Sequence, residues 1–451
     1  MPPAFHEFAA DLSYTDLPPE VLSVLRRSFL DTMGVAAAAS STGMAGIARR
    51  NAVALYGVGS AGGARILMNG TITSPAGAAM AGAFTVDSID AHDGSSPCKG
   101  HAGSAVFPAM LAMADVKNDM KAADFATLLA LSYETSYRAG LAQHATCADY
   151  HTSGSWTAVG VAIATARVLG CSPDQIRHAA GIGEYHGPRS QMMRCIDHPT
   201  MVRDGVGWGA PTGVTAGYLA QMGFTGAPAL TCENAGEFWA DLGSSWRVAQ
   251  DTHYKPYPCC RWAHPALDAA HDLMQEHHLH HAQIARVDIR TFHNATRLAG
   301  HAPATPDEFA YAIAFPVAAM IVRGQLGLPE LTPSTLQDAE ILRISKATHL
   351  IDDPHFTKIS EGKRWAQVTL TLTDGSQYES TPRTPRGDAD LPLSDAEISD
   401  KFHLFANPVL GSHRACEIEA LCREFDKLAE PDFKRLLDLC LSPTNNLGPA
   451  V

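Results

Sequence analysis

Through most of the first 265 residues, apolar positions recur at three- and four-residue intervals. Leu22, Leu25, Phe29 and Met33 share one helical stripe behind Pro18 and Pro19, with Glu20 in the first turn. Proline at the first helical position and an acid beside the positive end of the helix both favour a start there. From Trp156 to Leu169 the side chains are mostly Ala, Val and Ile, apolar nearly all round, and Gly170 follows. A helix of that kind belongs inside a bundle, where its small residues let neighbours approach closely. Gly213 to Met222 repeats the style and stops at Gly223.

The period changes after about residue 280. Ile284, Val287, Ile289 and Thr291 bracket a strand-like run, and Val368 to Thr373 alternates strictly up to Asp374-Gly375. Asp-Gly between alternating runs is a hairpin signal, with Gln377 to Ser380 as the returning strand. Helical stretches lie between, at Glu308 to Arg323 and Leu336 to Leu350, and helical spacing returns at Ile418, Leu421, Phe425 and Leu428. The pattern predicts a mainly α protein: a large all-helical bundle plus a smaller α+β domain inserted before the C-terminal helices. The expected boundaries are 1–267 for the first part of the bundle, 268–399 for the small domain and 400–451 for the return.

A length of 451 residues with 46% hydrophobic and 18% charged residues suits two domains and excludes wholesale disorder. The net charge of −13 gives a nucleic-acid backbone nothing to attract. No apolar stretch approaches the roughly 20 residues of a membrane span, and the start lacks the apolar run of a secretory signal. Ten cysteines without a CxxC pair read as reduced thiols of a cytoplasmic protein.

Signatures for a nucleophile elbow, a zincin or a phosphate-binding loop are missing, and the glycine clusters at 181–183 and 205–209 follow no predicted strand. The run Glu276 to His281 reads as a solvated connector, and the adjacent Cys259 and Cys260 lack zinc-ligand spacing, so no metal site is expected. Three other stretches resist a bland explanation. Five ionisable groups, Asp90, His92, Asp93, Lys99 and His101, crowd between apolar helices. Tyr150 and His151 directly precede the buried Trp156 helix, and Arg203, Lys255 and Arg261 supply isolated cations. Together they offer acids and bases for proton transfer and cations for anions.

On these residues the sequence resembles the MmgE/PrpD family. The motifs are DAHDG…KGHAG (90–94, 99–103), YHTSGSW (150–156), MVRDGVGWGAPTGVTAGYLAQMGFTG (201–226) and YKPYPCCRWAHPALDAA (254–270). The family includes methylcitrate dehydratases, cis-aconitate decarboxylases and an iminodisuccinate epimerase. The resemblance implies a cofactor-free enzyme, a homodimer, and a positively lined site for a small anionic polycarboxylate between the two domains. Carried over residue by residue, it places family positions on Asp90, His101, His151 and Lys255, with Arg203 standing where a lysine is usual and the small-domain tyrosine falling near Phe315.

The implied chemistry is a carbanion next to a carboxylate, which needs cations or donors aimed at the developing charge. His101 and His151 are the expected proton-transfer pair, with Lys99 and Tyr150 as alternative bases and Asp90 orienting an imidazole. Arg203, Lys255 and Arg261 are expected to clamp substrate carboxylates. Departures at His101-Ala102-Gly103 and Arg203 favour epimerisation of an iminodisuccinate-like substrate, with methylcitrate-type dehydration or cis-aconitate-type decarboxylation as alternatives. A non-catalytic anion-binding protein and a metal-dependent hydrolase are the remaining classes.

Overall fold

Small side chains decide the architecture. Every residue from Gly154 to Ala166 is buried, and the Gly154–Val168 helix runs through the bundle against Ala122–Thr146, Pro173–His186 and Val206–Gln221. The last of these crosses at backbone distance: a Cβ on Gly209 would lie 2.5 Å from the carbonyl oxygen of Gly154. Only glycine allows that approach, so Gly209 of the 205–209 cluster serves helix packing. The computed structural model describes residues 4–444.

Two cores form. The larger joins the N-terminal helices to residues from Leu393 to Leu441. The smaller is built from residues 259–372 together with Met192, Cys195 and Ile196. Its sheet has the order Thr348–Asp352, Ile284–Thr291, Ala366–Leu372, Gln377–Glu379. Ile289 opposes Val368 in the antiparallel pair, and the alternating buried residues Ala366, Val368, Leu370 and Leu372 meet the His264–Glu276 helix. The protein is therefore mainly α, with a small α+β part, as the periodicities require. Among the described residues no helix is long and apolar enough to cross a membrane.

Two predicted helices end differently. The expected Leu336–Leu350 helix spans only Ala339–Lys346, and Thr348–Asp352 pairs parallel with Ile284–Thr291 as an edge strand. Sheet pairing there overrides a local pattern too short to distinguish helix from strand. The expected Glu308–Arg323 helix is interrupted between Ala310 and Ala314. The amides of Ile313 and Ala314 bond the carbonyls of Leu298 and Ala299 instead of helical partners.

The C-terminal return is locked to the bundle by charge. The Asp395–Leu410 helix lies on Pro19–Ala39, where Gly34 makes room for Phe402. Buried Lys401 donates to Asp31 Oδ1 at 2.6 Å and to the carbonyl of Ala91 at 2.6 Å. Burial pushes the Asp31 carboxyl up and the Lys401 ammonium down, so each depends on the other for its charge. Removing one partner strands the other, whereas an apolar pair strands neither. Lys401→Met is expected to destabilise the protein by about 3–5 kcal/mol, and Asp31→Leu/Lys401→Met to recover most of that loss; urea midpoints of the two variants check both.

Candidate active site

The loop between the Pro75–Asp87 and Gly103–Lys117 helices is folded tightly against the seam between the cores. Gly94 and Ser95 pair with His253 and Thr252, and Ser95 bridges to Gly100. These turns force non-glycine residues into the left-handed region: Asp90 at φ 48° and Lys99 at 54°, with Arg203 at 46° nearby. For side chains with a Cβ that conformation is unfavourable, and it persists where surrounding contacts over-determine it. Three of the six such residues described are among those singled out from the sequence.

The loop, the 192–204 segment, the 253–262 segment and the small domain enclose a cavity of about 540 Å³, counting its opening. Asp90, Lys99, His101, Tyr150, Lys255 and Arg261 all line it. Lys255 is fully buried and donates to Asp90 Oδ1 at 2.5 Å and to the Asp90 carbonyl at 3.1 Å. Arg261 donates to Asp388 Oδ1 at 2.8 Å. The Tyr150 hydroxyl donates to the carbonyl of Lys99 at 2.9 Å, and burial raises its pKa.

Two expected residues lie outside this wall. His151 pairs with Gln191 in an isolated bridge and does not line the cavity that Tyr150 lines; its Nδ1 is buried without a partner. Arg203 is outside it too, with Nε and Nη1 buried and without a hydrogen-bond partner. Its Nη2 donates to the Ser88 carbonyl at 2.8 Å and to Asp307 at 2.6 Å, and its guanidinium lies over the Tyr311 ring at 5.6 Å. It borders a separate apolar groove behind Tyr311.

Among the other wall residues, Tyr311, His253, Asp204 and Arg364 carry side chains suited to the chemistry and are not among the expected site residues. Tyr311 sits in the helix interruption, four residues before the position expected to hold a tyrosine, whereas Phe315 is in the core against Phe309. His253 was within reach of inspection, two residues before Lys255. Arg364 follows a turn on the small domain and gives no local signal. The run 276–281 ends a helix on the exterior, and among the described residues no group of three or more His, Cys, Asp or Glu is placed to hold a metal.

Hydrogen bonding fixes the state of each imidazole. His92 has an acceptor at both nitrogens, the Asp93 carbonyl at 3.2 Å from Nδ1 and Asp87 Oδ1 at 3.2 Å from Nε2. Burial opposes its charge, but the Asp87 hydrogen bond and the charges of Asp87 and Asp90 outweigh burial and Lys255, raising its pKa. His101 lies edge-on to His92 with centroids 4.5 Å apart. Its Nδ1 is 2.7 Å from the Asp93 carbonyl, which only accepts, so Nδ1 carries the proton and Nε2 keeps a lone pair. Burial, then Lys255, His92 and His253, hold His101 well below the usual imidazole range. His253 is likewise held down by burial and by Arg261.

The ring is anchored from behind. The His101 amide donates to Ser153 Oγ at 2.8 Å, and Ser153 Oγ donates to Asp204. Asp93 accepts from the Tyr133 hydroxyl at 2.7 Å, and burial raises its carboxyl to about 6 despite that bond. The unfolded chain would ionise Asp93 near pH 3.9, so between about pH 4 and 6 the folded state binds the extra proton and stability falls as pH rises. Asp93→Asn is expected to be stabilised relative to the parent at pH 7.5, by up to about 3 kcal/mol, and to lose that advantage by pH 4. Urea midpoints at both pH values check this; an equal difference at both would overturn it.

Two family models match most of the chain, on either side of residues 247–256. The MmgE/PrpD N-terminal domain model matches residues 4–246, and the MmgE/PrpD C-terminal domain model matches 257–427. The cis-aconitate decarboxylase of Aspergillus terreus is 22% identical over 482 aligned residues, covering 97% of this chain and 95% of that protein. A cis-aconitate decarboxylase-like protein of Aspergillus oryzae is 23% identical, covering 76% and 78%. The human cis-aconitate decarboxylase is 23% identical, covering 74% and 73%.

Proposed function

Because the chain belongs to the MmgE/PrpD family, and its relatives named above are decarboxylases, we propose that it is a lyase that removes CO₂ from a small unsaturated polycarboxylate of the cis-aconitate type. One observation carries this choice over epimerisation: the cavity joins cations to an apolar surface. Met192, Ile196, Cys260 and Trp262 line it beside Lys255 and Arg261, and burial pushes the Cys260 thiol up to about 12, so that it stays neutral. A carboxylate held against such a surface loses hydration that CO₂ does not need, which favours its departure. Ala102 and Arg203, the departures that suggested an epimerase, do not line the cavity.

In the proposed reaction the bond between carbon and one carboxylate breaks and CO₂ leaves. The electron pair spreads over the adjacent alkene and a retained carboxylate, where Lys255 and Tyr311 stabilise the charge. A proton then adds to carbon from His101. Burial, reinforced by the surrounding cations, keeps His101 neutral in the free enzyme; a bound polyanion offsets the cations' share and raises its pKa, so His101 takes a proton from solvent as substrate binds. Asp90 positions Lys255.

The test is cis-aconitate in D₂O, followed by NMR and CO₂ detection. The expected result is equal amounts of CO₂ and an alkene dicarboxylate carrying one solvent deuteron. Deuterium exchange without CO₂ would favour epimerisation, and loss or gain of water would favour a dehydratase. His101→Gln is expected to lower kcat by about 10²–10⁴, the range for a positioned acid or base. It should also abolish the uptake of about one proton at pH 7.5 when an unreactive tricarboxylate binds, measured by calorimetry in buffers of different ionisation enthalpy.

We propose further that the enzyme is a cytoplasmic homodimer. All ten cysteines are free thiols, as in a reducing compartment. Exposed Ile47, Met201, Val202 and Trp208 border the apolar groove behind Tyr311, a surface suited to a second copy. Light scattering should give the mass of two chains, and Trp208→Asp should shift it towards one.

A further inference from the structure

The cations of the cavity differ in how their charge is balanced. Lys255 has Asp90, and Arg261 has Asp388, whose Oδ1 also accepts from Ser96 Oγ at 3.2 Å. Lys99 and Arg364 have no carboxylate within 4.0 Å among the described residues. Arg364 is buried, and its Nη1 donates only to the carbonyls of Ser360 at 2.9 Å and Lys363 at 3.2 Å. Lys99 is held in its left-handed turn with Nζ 6.0 Å from the centre of the Tyr150 ring. The two cations stand on opposite sides of the seam, one on the bundle loop and one on the small domain, and face the same cavity.

Such an arrangement is unfavourable by itself. Burial lowers the pKa of both groups, and the charge of Arg364 lowers that of Lys99 further. Of nearby acids only Glu361 favours the Lys99 charge, and it lies outside the cavity wall. Asp388, which favours the Arg364 charge, is already paired with Arg261, and two cations with no carboxylate in contact are stabilised when an anion arrives between them. Arg364 supplies a planar fork suited to a carboxylate, and Lys99 a point charge.

We propose that Lys99 and Arg364 together bind one substrate carboxylate that is retained through the reaction, and that this pair makes the site prefer three carboxylates to two. The inference rests on the polycarboxylate reading of the cavity. It assigns Lys99 to binding, in place of the alternative base expected from the sequence, and it adds Arg364, a side chain of the small domain, to the substrate site. A carboxylate bridging the two also ties the bundle to the small domain across the seam.

The experiment is calorimetric titration of the full chain with tricarballylate, a saturated tricarboxylate, and with glutarate, a dicarboxylate. The parent should bind tricarballylate more tightly. Lys99→Gln and Arg364→Gln should each weaken tricarballylate by about tenfold or more, the size of a lost charge-assisted hydrogen bond. Glutarate binding should change by less than about twofold, within the range of a contact not made. The double variant should be little worse than either single one, because both remove the same bridge. If the parent binds tricarballylate and folded variants keep its preference over glutarate, the assignment of this pair is wrong and the polycarboxylate site stands. If the parent binds neither acid, the polycarboxylate reading falls and this inference with it. Should Arg364→Gln fail to fold, Lys99→Gln on the half-buried turn decides the matter alone.

Discussion

A lysine with no access to water requires a fixed anion, and the seam of this molecule is arranged around one such requirement. Lys255 finds its charge partner in Asp90, which belongs to a loop more than 160 positions away and adopts a left-handed backbone to present both its carboxylate and its carbonyl. The short pairing of Gly94 and Ser95 with His253 and Thr252 brings the two segments alongside each other. Once they are joined, the remaining cations and imidazoles take their states from the same field. The acceptors at both nitrogens of His92 help raise its pKa, whereas burial and the cations around His101, beside it, hold that ring well below the usual imidazole range. The protonation pattern of the cavity thus follows from where a few carboxylates are buried, with no single group tuned independently.

The parts of this arrangement that a linear sequence can express are those confined to one segment. The apolar stripe of residues 22–33 and the alternation of 368–372 are local periodicities, and the elements they specify are present. Asp90, His101 and Lys255 stand out because polar groups interrupt apolar surroundings. Tyr311 could not be located in this way, since the helix break that presents it is made by carbonyls at 298 and 299. Arg364 and Asp388 arrive only when the small domain closes on the bundle. His151 and Arg203 show the converse limit. Their chemistry is visible in the sequence, but the fold seats His151 at a bridge to Gln191 and Arg203 beside Ser88 and Asp307, outside the cavity wall.

Family membership and site geometry bear on different questions. The domain matches reach into both cores and establish the lineage. They do not distinguish reactions that share a carbanion, because fold and function are separable. What discriminates among those reactions is the character of the cavity wall: the balance of cations, neutral imidazole and apolar surface at the position of the departing group.

Lys401 also imposes an order on the making of the protein. Its ammonium grips Asp31 and the carbonyl of Ala91, one residue from the anion that Lys255 needs. The helix carrying it, Asp395–Leu410, is translated long after the loop it holds, and domains fold as chain becomes available. The bundle of a nascent chain can therefore collapse early, while the loop bearing Asp90 stays without its clamp until that helix leaves the ribosome. Synthesis and competence are separated in time, and a chain released before residue 395 would carry nearly every residue of the cavity without the clamp that holds its loop in place.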